Sequence, residues 1–277
     1  MHTSRWLALG AILLWASLAV LGVRLAHLPP FWLTGVALLI GSVIALPLSR
    51  FDFSQWRVPA RTLALGVYGL FGFHFLLFIA LRHAPPVQAN LVNYLWPLGM
   101  VVLAPLLLPG TALHLRHVLA ALLGFAGAAL AITGGKPLEG GIAWAYLPAL
   151  ASAFVWASYS LLTQRVPPFP SSAIGLFALV SGLLSLACHA LLEPPAQVVP
   201  QDWFWLSLMG LGPLGAAFFL WDAALKRGDV RQIGLLSFLT PLLSTLLLLW
   251  YRGEPVSPSV GIATALIVGS AWLGRGR

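Results

Sequence analysis

The chain has 277 residues, 60% hydrophobic and only 8% charged, with a mean hydropathy of +0.92. Soluble domains carry roughly 25% charged residues, so this composition excludes an ordinary soluble protein and describes an integral membrane protein. The net charge of +8 does not imply a nucleic-acid partner, because the basic residues sit between apolar stretches, where they set orientation and leave no continuous basic face. Cys188 is the only cysteine, which excludes an intrachain disulfide.

Ten apolar stretches follow one another, near residues 6–26, 31–49, 62–82, 86–108, 114–133, 141–164, 171–192, 203–225, 230–250 and 257–273. A bilayer core needs roughly 20 apolar residues per helix, so an all-α protein of ten transmembrane helices is expected. No small-residue cleavage site follows the first stretch, which is therefore read as a retained helix. Short separators such as Pro29-Pro30, Pro85-Pro86, Gly134-Gly135, Pro167-Pro168 and Pro194-Pro195 stop the helices and leave no room for a soluble domain.

The sequence repeats itself. Gln88-Ala89-Asn90-Leu91-Val92-Asn93-Tyr94-Leu95-Trp96-Pro97 aligns without a gap to Gln232-Ile233-Gly234-Leu235-Leu236-Ser237-Phe238-Leu239-Thr240-Pro241, at a shift of 144, and Trp15-Ala16-Ser17 returns as Trp156-Ala157-Ser158 at a shift of 141. Residues 1–136 and 137–277 then form two five-helix units. An odd number of spans inserts the second unit upside down relative to the first, the inverted-repeat plan of many secondary transporters. Charge supports this topology. With the N-terminus inside, Arg5, Arg50, Arg57, Arg61, Arg116, Arg165, Lys226, Arg227, Arg231, Arg275 and Arg277 are cytoplasmic, and only Arg24, Arg82, Lys136 and Arg252 of the 15 basic residues are outside. The positive-inside rule thus puts both termini in the cytoplasm.

Of seven acidic residues, Asp52, Glu139, Glu193, Asp202, Asp229 and Glu254 fall in or beside connections, and only Asp222 lies within a span. Scattered acids argue against metal or acid–base catalysis, which needs clustered groups. Asp222 precedes Lys226 by one helical turn, a spacing that suits either an interfacial ion pair or a gate residue. His74, close to the middle of the third span, could bond a ligand, take a proton, or simply satisfy a neighbouring helix. Proton exchange and facilitated diffusion are both compatible with this inventory.

Eight of the 12 tryptophans, Trp6, Trp32, Trp56, Trp144, Trp203, Trp205, Trp250 and Trp272, suit interfacial belts. Trp15, Trp96 and Trp156 fall near mid-membrane and Trp221 towards the cytoplasmic half, with Trp15 and Trp156 at equivalent positions of the two halves. Asn90, Asn93, Tyr94 and Pro97 share one helical face, and amides in hydrocarbon need partners, so this face is expected to point inward. About 200° of rotation separates Trp96 from Tyr94 on an unkinked helix, which makes Trp96 the weaker candidate. Pro97 and Pro241 are candidate hinges, since each removes a mid-span hydrogen-bond donor. Small residues at four-residue spacing, Ala120, Gly124 and Ala128 in the fifth span and Gly261, Ala265 and Gly269 in the tenth, suit close helix packing within a monomer or across a homodimer.

With two five-helix repeats, short loops and the Asn93-Tyr94-Leu95-Trp96-Pro97 string, the chain resembles the drug/metabolite transporter superfamily, in its ten-helix EamA-type branch, and within that the bacterial aromatic amino acid exporters. The resemblance implies an inner-membrane carrier without cofactor or metal, whose partners are the lipid bilayer and a small-molecule substrate. It also implies a central cavity lined by Trp15, His74, Asn90, Asn93, Tyr94, Trp96, Trp156 and Ser237, with Phe78, Tyr159, Ser160 and Trp221 as further contributors. The chemistry fits an aromatic amino acid, whose ring stacks on Trp and Tyr. A cationic aromatic drug also suits aromatic faces, and other small metabolites or a lipid-directed membrane enzyme are the competing readings. Phosphorylated sugars would call for inward Lys or Arg, which the spans lack.

Overall fold

The computed structural model describes residues 2–138 and 144–274. Glu139, the expected start of the sixth span at 141, and Arg275 and Arg277 lie outside the described residues. Among the described residues there is no strand, and eight helices are long and apolar enough to cross a membrane: α1 (Thr3–Arg24), α2 (Pro30–Leu48), α3 (Ala60–His83), α4 (Pro86–Leu107), α5 (Leu115–Thr133), α7 (Ser171–Leu192), α8 (Asp202–Leu225) and α9 (Val230–Arg252). Two shorter apolar helices, α6 (Tyr146–Leu162) and α10 (Pro258–Leu273), fall where the sixth and tenth spans are expected. Proline at the first helical positions starts α2, α4 and α10, where its missing N–H is harmless. Left-handed Gly134 and Gly253 end α5 and α9.

Several of the long helices are interrupted, and the interruptions recur between the halves. A π-helical turn occupies Tyr68–Gly72 in α3, and another occupies Gly212–Ala216 in α8, 144 residues later. α4 breaks at Tyr94 and Leu95, and α9 breaks at Ser237 and Phe238. The cause is local. Pro97 and Pro241 cannot donate to the carbonyl four residues back, and their rings crowd it, so the preceding turn tightens: Leu95 N–H bonds Val92 O at 3.1 Å and Thr240 N–H bonds Ser237 O at 3.0 Å. α1 is interrupted as well, at Ser17, whose hydroxyl donates to Leu14 O.

Packing joins corresponding helices of the two halves. α2 lies along α7 and α5 along α10, while α1 contacts α8 and α9 in the way that α6 contacts α3 and α4. Close approach depends on missing side chains. A Cβ on Gly41 would sit 2.7 Å from Leu214 O, and one on Gly210 would sit 2.8 Å from Ala37 O, so α2 and α8 meet backbone to backbone. The small-residue stripe of α5 behaves as expected, since Ala120, Gly124 and Ala128 are buried. The one on α10 does not. Gly261 and Ala265 are exposed, and α10 turns Val260, Ala263, Ile267 and Ser270 towards α5 instead, so the α10 stripe takes no part in packing within the monomer.

Candidate functional site

Between the helices lies a cavity of about 640 Å³, lined mainly by α1, α3, α4, α8 and α9. Its floor is aromatic. Trp15 and Trp156, equivalent in the repeat, meet edge to face with ring centroids 5.7 Å apart, and Phe218 packs against both at 6.1 and 5.7 Å. Phe73 adds a fourth ring, 5.3 Å from Trp156. Trp96 stands 6.4 Å from Trp156 and lines the cavity together with Tyr94. This overturns the expectation from helical rotation. The break at Tyr94 and Leu95 changes the phase of α4 just between the two rings, so both face the same space.

Polar groups sit along one wall. Asn90, Asn93 and Tyr94 line the cavity from α4, as their shared face predicts, and Asn93 Oδ1 accepts a hydrogen bond of 2.9 Å from Ser152 Oγ. His74 is buried, with Nδ1 2.6 Å from Leu70 O; since a carbonyl only accepts, Nδ1 carries the proton and a neutral ring presents Nε2 as an acceptor. Phe78 and Phe218 flank the imidazole at 6.0 and 6.4 Å. Among the described residues, no ionisable side chain lines the cavity other than His74 and the Tyr94 phenol, so a charged ligand group must be met there by neutral donors and acceptors.

Four expected lining residues lie elsewhere. Trp221 is only 1% exposed and sits beneath the floor, 5.1 Å from Trp15 and 5.7 Å from Trp96, with its indole N–H donating to Ser160 Oγ at 3.2 Å. Ser160 is spent in that bond. Tyr159 is buried against Trp156, and its ring fills the space over Gly69, where a Cβ would lie 2.3 Å away. Ser237 is wholly buried and donates to its own helix, at Ile233 O and Gly234 O. Sequence reading also missed lining residues: Thr34, Phe73, Phe218 and Thr240 among them. Phe218 was accessible, because it stands 144 residues after His74. Thr240, one isolated hydroxyl in an apolar run, carries no pattern.

The cavity opens at the end of the bundle where Pro86 and Val87, both exposed, line it. At the opposite end the helices are tied shut. Asp222, 2% exposed, accepts from Lys226 Nζ at 2.6 Å and from Ser171 Oγ, and the same ammonium bonds Phe169 O at 2.9 Å and lies 3.9 Å above the Phe169 ring. Gln164 Nε2 donates to Leu225 O at 3.0 Å, and Arg5 donates to Gln232 Oε1 at 2.9 Å, which joins α1 to α9. Asp222 therefore does more than pair with its helical neighbour, since its partners reach the α6–α7 connection.

A multi-pass helical bundle with a substrate-sized cavity open at one end and barred at the other is the architecture of a membrane carrier. The chain belongs to the EamA-like transporter family, whose sequence profile matches residues 3–133 and again 143–274. It is similar to the aromatic amino acid exporter YddG of Ancylobacter novellus, at 42% identity over 94% of this chain and 93% of that protein. The YddG exporters of Salmonella typhimurium and Escherichia coli are each 26% identical, covering 80% and 70% of this chain and 80% and 68% of their own. A crystal structure of a protein 39% identical matches with a TM-score of 0.91, over 99% of this chain and 96% of its own. The protein is a transporter and not an enzyme.

Proposed function

We propose that the protein exports aromatic amino acids, and other neutral amino acids to a lesser degree, across the bacterial inner membrane by alternating access. The observation that carries this reading is the cavity. Its Trp15, Trp96, Trp156 and Phe218 rings offer edges and faces to one planar side chain. Asn90, Asn93, Tyr94 and His74 supply neutral hydrogen bonds for a zwitterionic head without the net charge that a phosphate or a cation would favour. The relatives named as aromatic amino acid exporters support the same substrate class.

The proposed architecture is ten membrane helices in two inverted five-helix repeats, residues 1–136 and 137–277, with both termini cytoplasmic. Recurrence of the π-turns and the helix breaks supports the repeat, as does the meeting of equivalent residues Trp15 with Trp156 and His74 with Phe218. In that orientation the open cavity faces outward and the Asp222–Lys226 cluster is the closed inner gate. α4 and α9, broken at the midplane beside Pro97 and Pro241, are the elements that bend as the halves rock.

Reconstitution tests the reading. Proteoliposomes loaded with labelled Trp, Phe or Tyr are expected to release them faster than empty-vector controls, and Trp15→Ala is expected to slow release at least about tenfold while folded protein is recovered in normal amount. Release of some unrelated solute, with none of the three amino acids moved, would overturn the substrate.

A further inference from the structure

Most basic groups on the side proposed as cytoplasmic are engaged inside the protein. Arg5 donates to Gln232, Arg165 to Leu107 O and Arg227 to Ala223 O, while Lys226 and Arg231 pair with Asp222 and Asp229. Arg50, Arg57 and Arg61 differ. All three are exposed, all lie on or beside the connection between α2 and α3, and among the described residues none of their guanidinium groups has a hydrogen bond or an ion pair. Asp52, the acid of the same stretch, accepts from Ser54 N–H and pairs with none of them. Three arginines less one aspartate leave residues 50–61 with a charge of +2. Arg116 is unpaired too, but stands alone at the start of α5.

Apolar rings accompany these charges. Phe51 is 65% exposed and Phe53 61% exposed, within a few residues of Leu48, where the membrane-length helix α2 ends. The connection that carries them is pinned to the bundle. Gln55 Nε2 donates to Ser49 O at 3.3 Å, Gln55 Oε1 accepts from Ser172 Oγ of α7 at 2.8 Å, and Trp56 packs against Gly175. Gln55 and Trp56 thus face the protein, and Phe53 keeps one edge on Trp56, with ring centroids 5.9 Å apart. Arg50 and Phe51 both adopt left-handed backbone, φ 53° and 61°, where glycine is usual, and Phe51 N–H closes the end of α2 on Leu46 O at 2.9 Å. The matching connection between α7 and α8 holds no Lys or Arg in residues 193–201, and its Glu193 is engaged with the Phe31 and Trp32 N–H groups.

Unpaired guanidinium groups beside exposed phenyl rings, at the end of a membrane span, suit the boundary between lipid headgroups and acyl chains. There the rings enter the apolar side while the cations meet phosphate. We propose that the α2–α3 connection is an in-plane anchor that binds acidic phospholipid headgroups of the cytoplasmic leaflet. Arg50, Arg57 and Arg61 hold the phosphates, and Phe51 and Phe53 dip beneath them. Because α2 and α3 both line the cavity, through Thr34 and His74 among others, the anchor fixes one wall of the carrier to the plane of the membrane.

Thermal unfolding of the detergent-purified full-length protein, titrated with phosphatidylglycerol or with phosphatidylcholine, tests this. The wild type is expected to reach half of its stabilisation at a concentration at least about tenfold lower with the acidic lipid, as two or three arginines at a charged surface would give. Arg50→Gln/Arg57→Gln is expected to lose that preference. Arg116→Gln/Arg227→Gln, which removes the same charge from the same side, is expected to keep it. A second measurement places the loop in folded protein: Phe51→Cys in a Cys188→Ser background carries a polarity-sensitive dye in vesicles. In vesicles containing phosphatidylglycerol the dye is expected to be quenched by lipids spin-labelled near the headgroup and shielded from aqueous iodide. A wild type without preference for the acidic lipid, or an equal loss in both double variants, overturns the site. A dye fully open to iodide in those vesicles also overturns it, leaving the patch in water as a surface for an acidic protein.

Discussion

α4 and α9 share a backbone and differ in what they offer the cavity. Each breaks two to four residues before a proline, each tightens the turn there, and each resumes as a longer segment. Along α4 the cavity meets Asn90, Asn93, Tyr94 and Trp96. The equivalent positions in α9 are Gly234, Ser237, Phe238 and Thr240, and only Thr240 reaches it. Gly234 lies against α4, where a Cβ would come 3.2 Å from Met100 Cβ, and Phe238 is fully buried over Gly124 of α5. Mechanics and recognition have therefore separated: the break is common to both halves, while most of the ligand chemistry belongs to one.

The sharpest way to break this comparison is to truncate the two rings that correspond across it. Phe238→Ala is expected to lower stability by about 3 kcal/mol, the cost of a cavity in a packed core, while KM for the substrate stays near the wild-type value. Tyr94→Ala should behave oppositely, raising KM about tenfold with a small change in unfolding temperature. Thermal unfolding together with liposome kinetics reads both; equal effects of the two variants would refute the division. Next in size are the prolines. Pro97→Ala and Pro241→Ala are each expected to cut turnover about threefold or more with little change in KM, because a continuous helix bends less readily. If one variant is silent, only the other break moves during transport.

A smaller effect concerns how the two helices begin. α4 starts at Pro86, with no titratable cap, whereas α9 is preceded by Asp229, whose carboxylate accepts from Arg231 N–H and pairs with the guanidinium at 2.7 Å. Burial alone would raise this carboxyl, but the Arg231 hydrogen bonds prevail and hold it below its ordinary value. A depressed carboxyl stabilises the fold above its unfolded pKa of about 3.9 and loses that contribution as pH falls through the folded value. The part-exposed pair is worth less than about 1 kcal/mol. Acidification below about pH 4 is expected to lower the unfolding temperature of the wild type slightly more than that of Asp229→Asn, and identical titrations would place the pair's contribution at zero.

Much of this was legible in the chain itself. Helix positions follow from apolar runs because a continuous run of about 20 apolar residues satisfies its backbone in hydrocarbon only as a helix, and the paired tryptophans and the amide face of α4 follow from the repeat and the cost of burying amides. Legibility failed where rotation about a helix axis decided the outcome. Trp96 ranks as the weaker candidate only on a continuous α4, and Pro97, which breaks that helix, is visible in the sequence. Tyr159 and Ser160 share α6 with Trp156 but lie below the floor, and Ser237 found a partner in its own backbone, as serines in hydrocarbon commonly do. Which of two adjacent hydroxyl residues, Ser237 or Thr240, meets the cavity depends on a break only one turn long.

The π-turns in α3 and α8 carry a consequence of the same kind. A five-residue turn is a stored phase error: it adds one residue to the ladder and so rotates everything beyond it by about 100° relative to a regular α-helix. His74 and Phe218, just past these turns, owe their inward direction to that offset. Regularising either turn at constant length would leave composition and hydropathy almost unchanged and would swing the part of the helix beyond it off the cavity, whereas deleting the one extra residue would restore a regular helix and keep that part in phase.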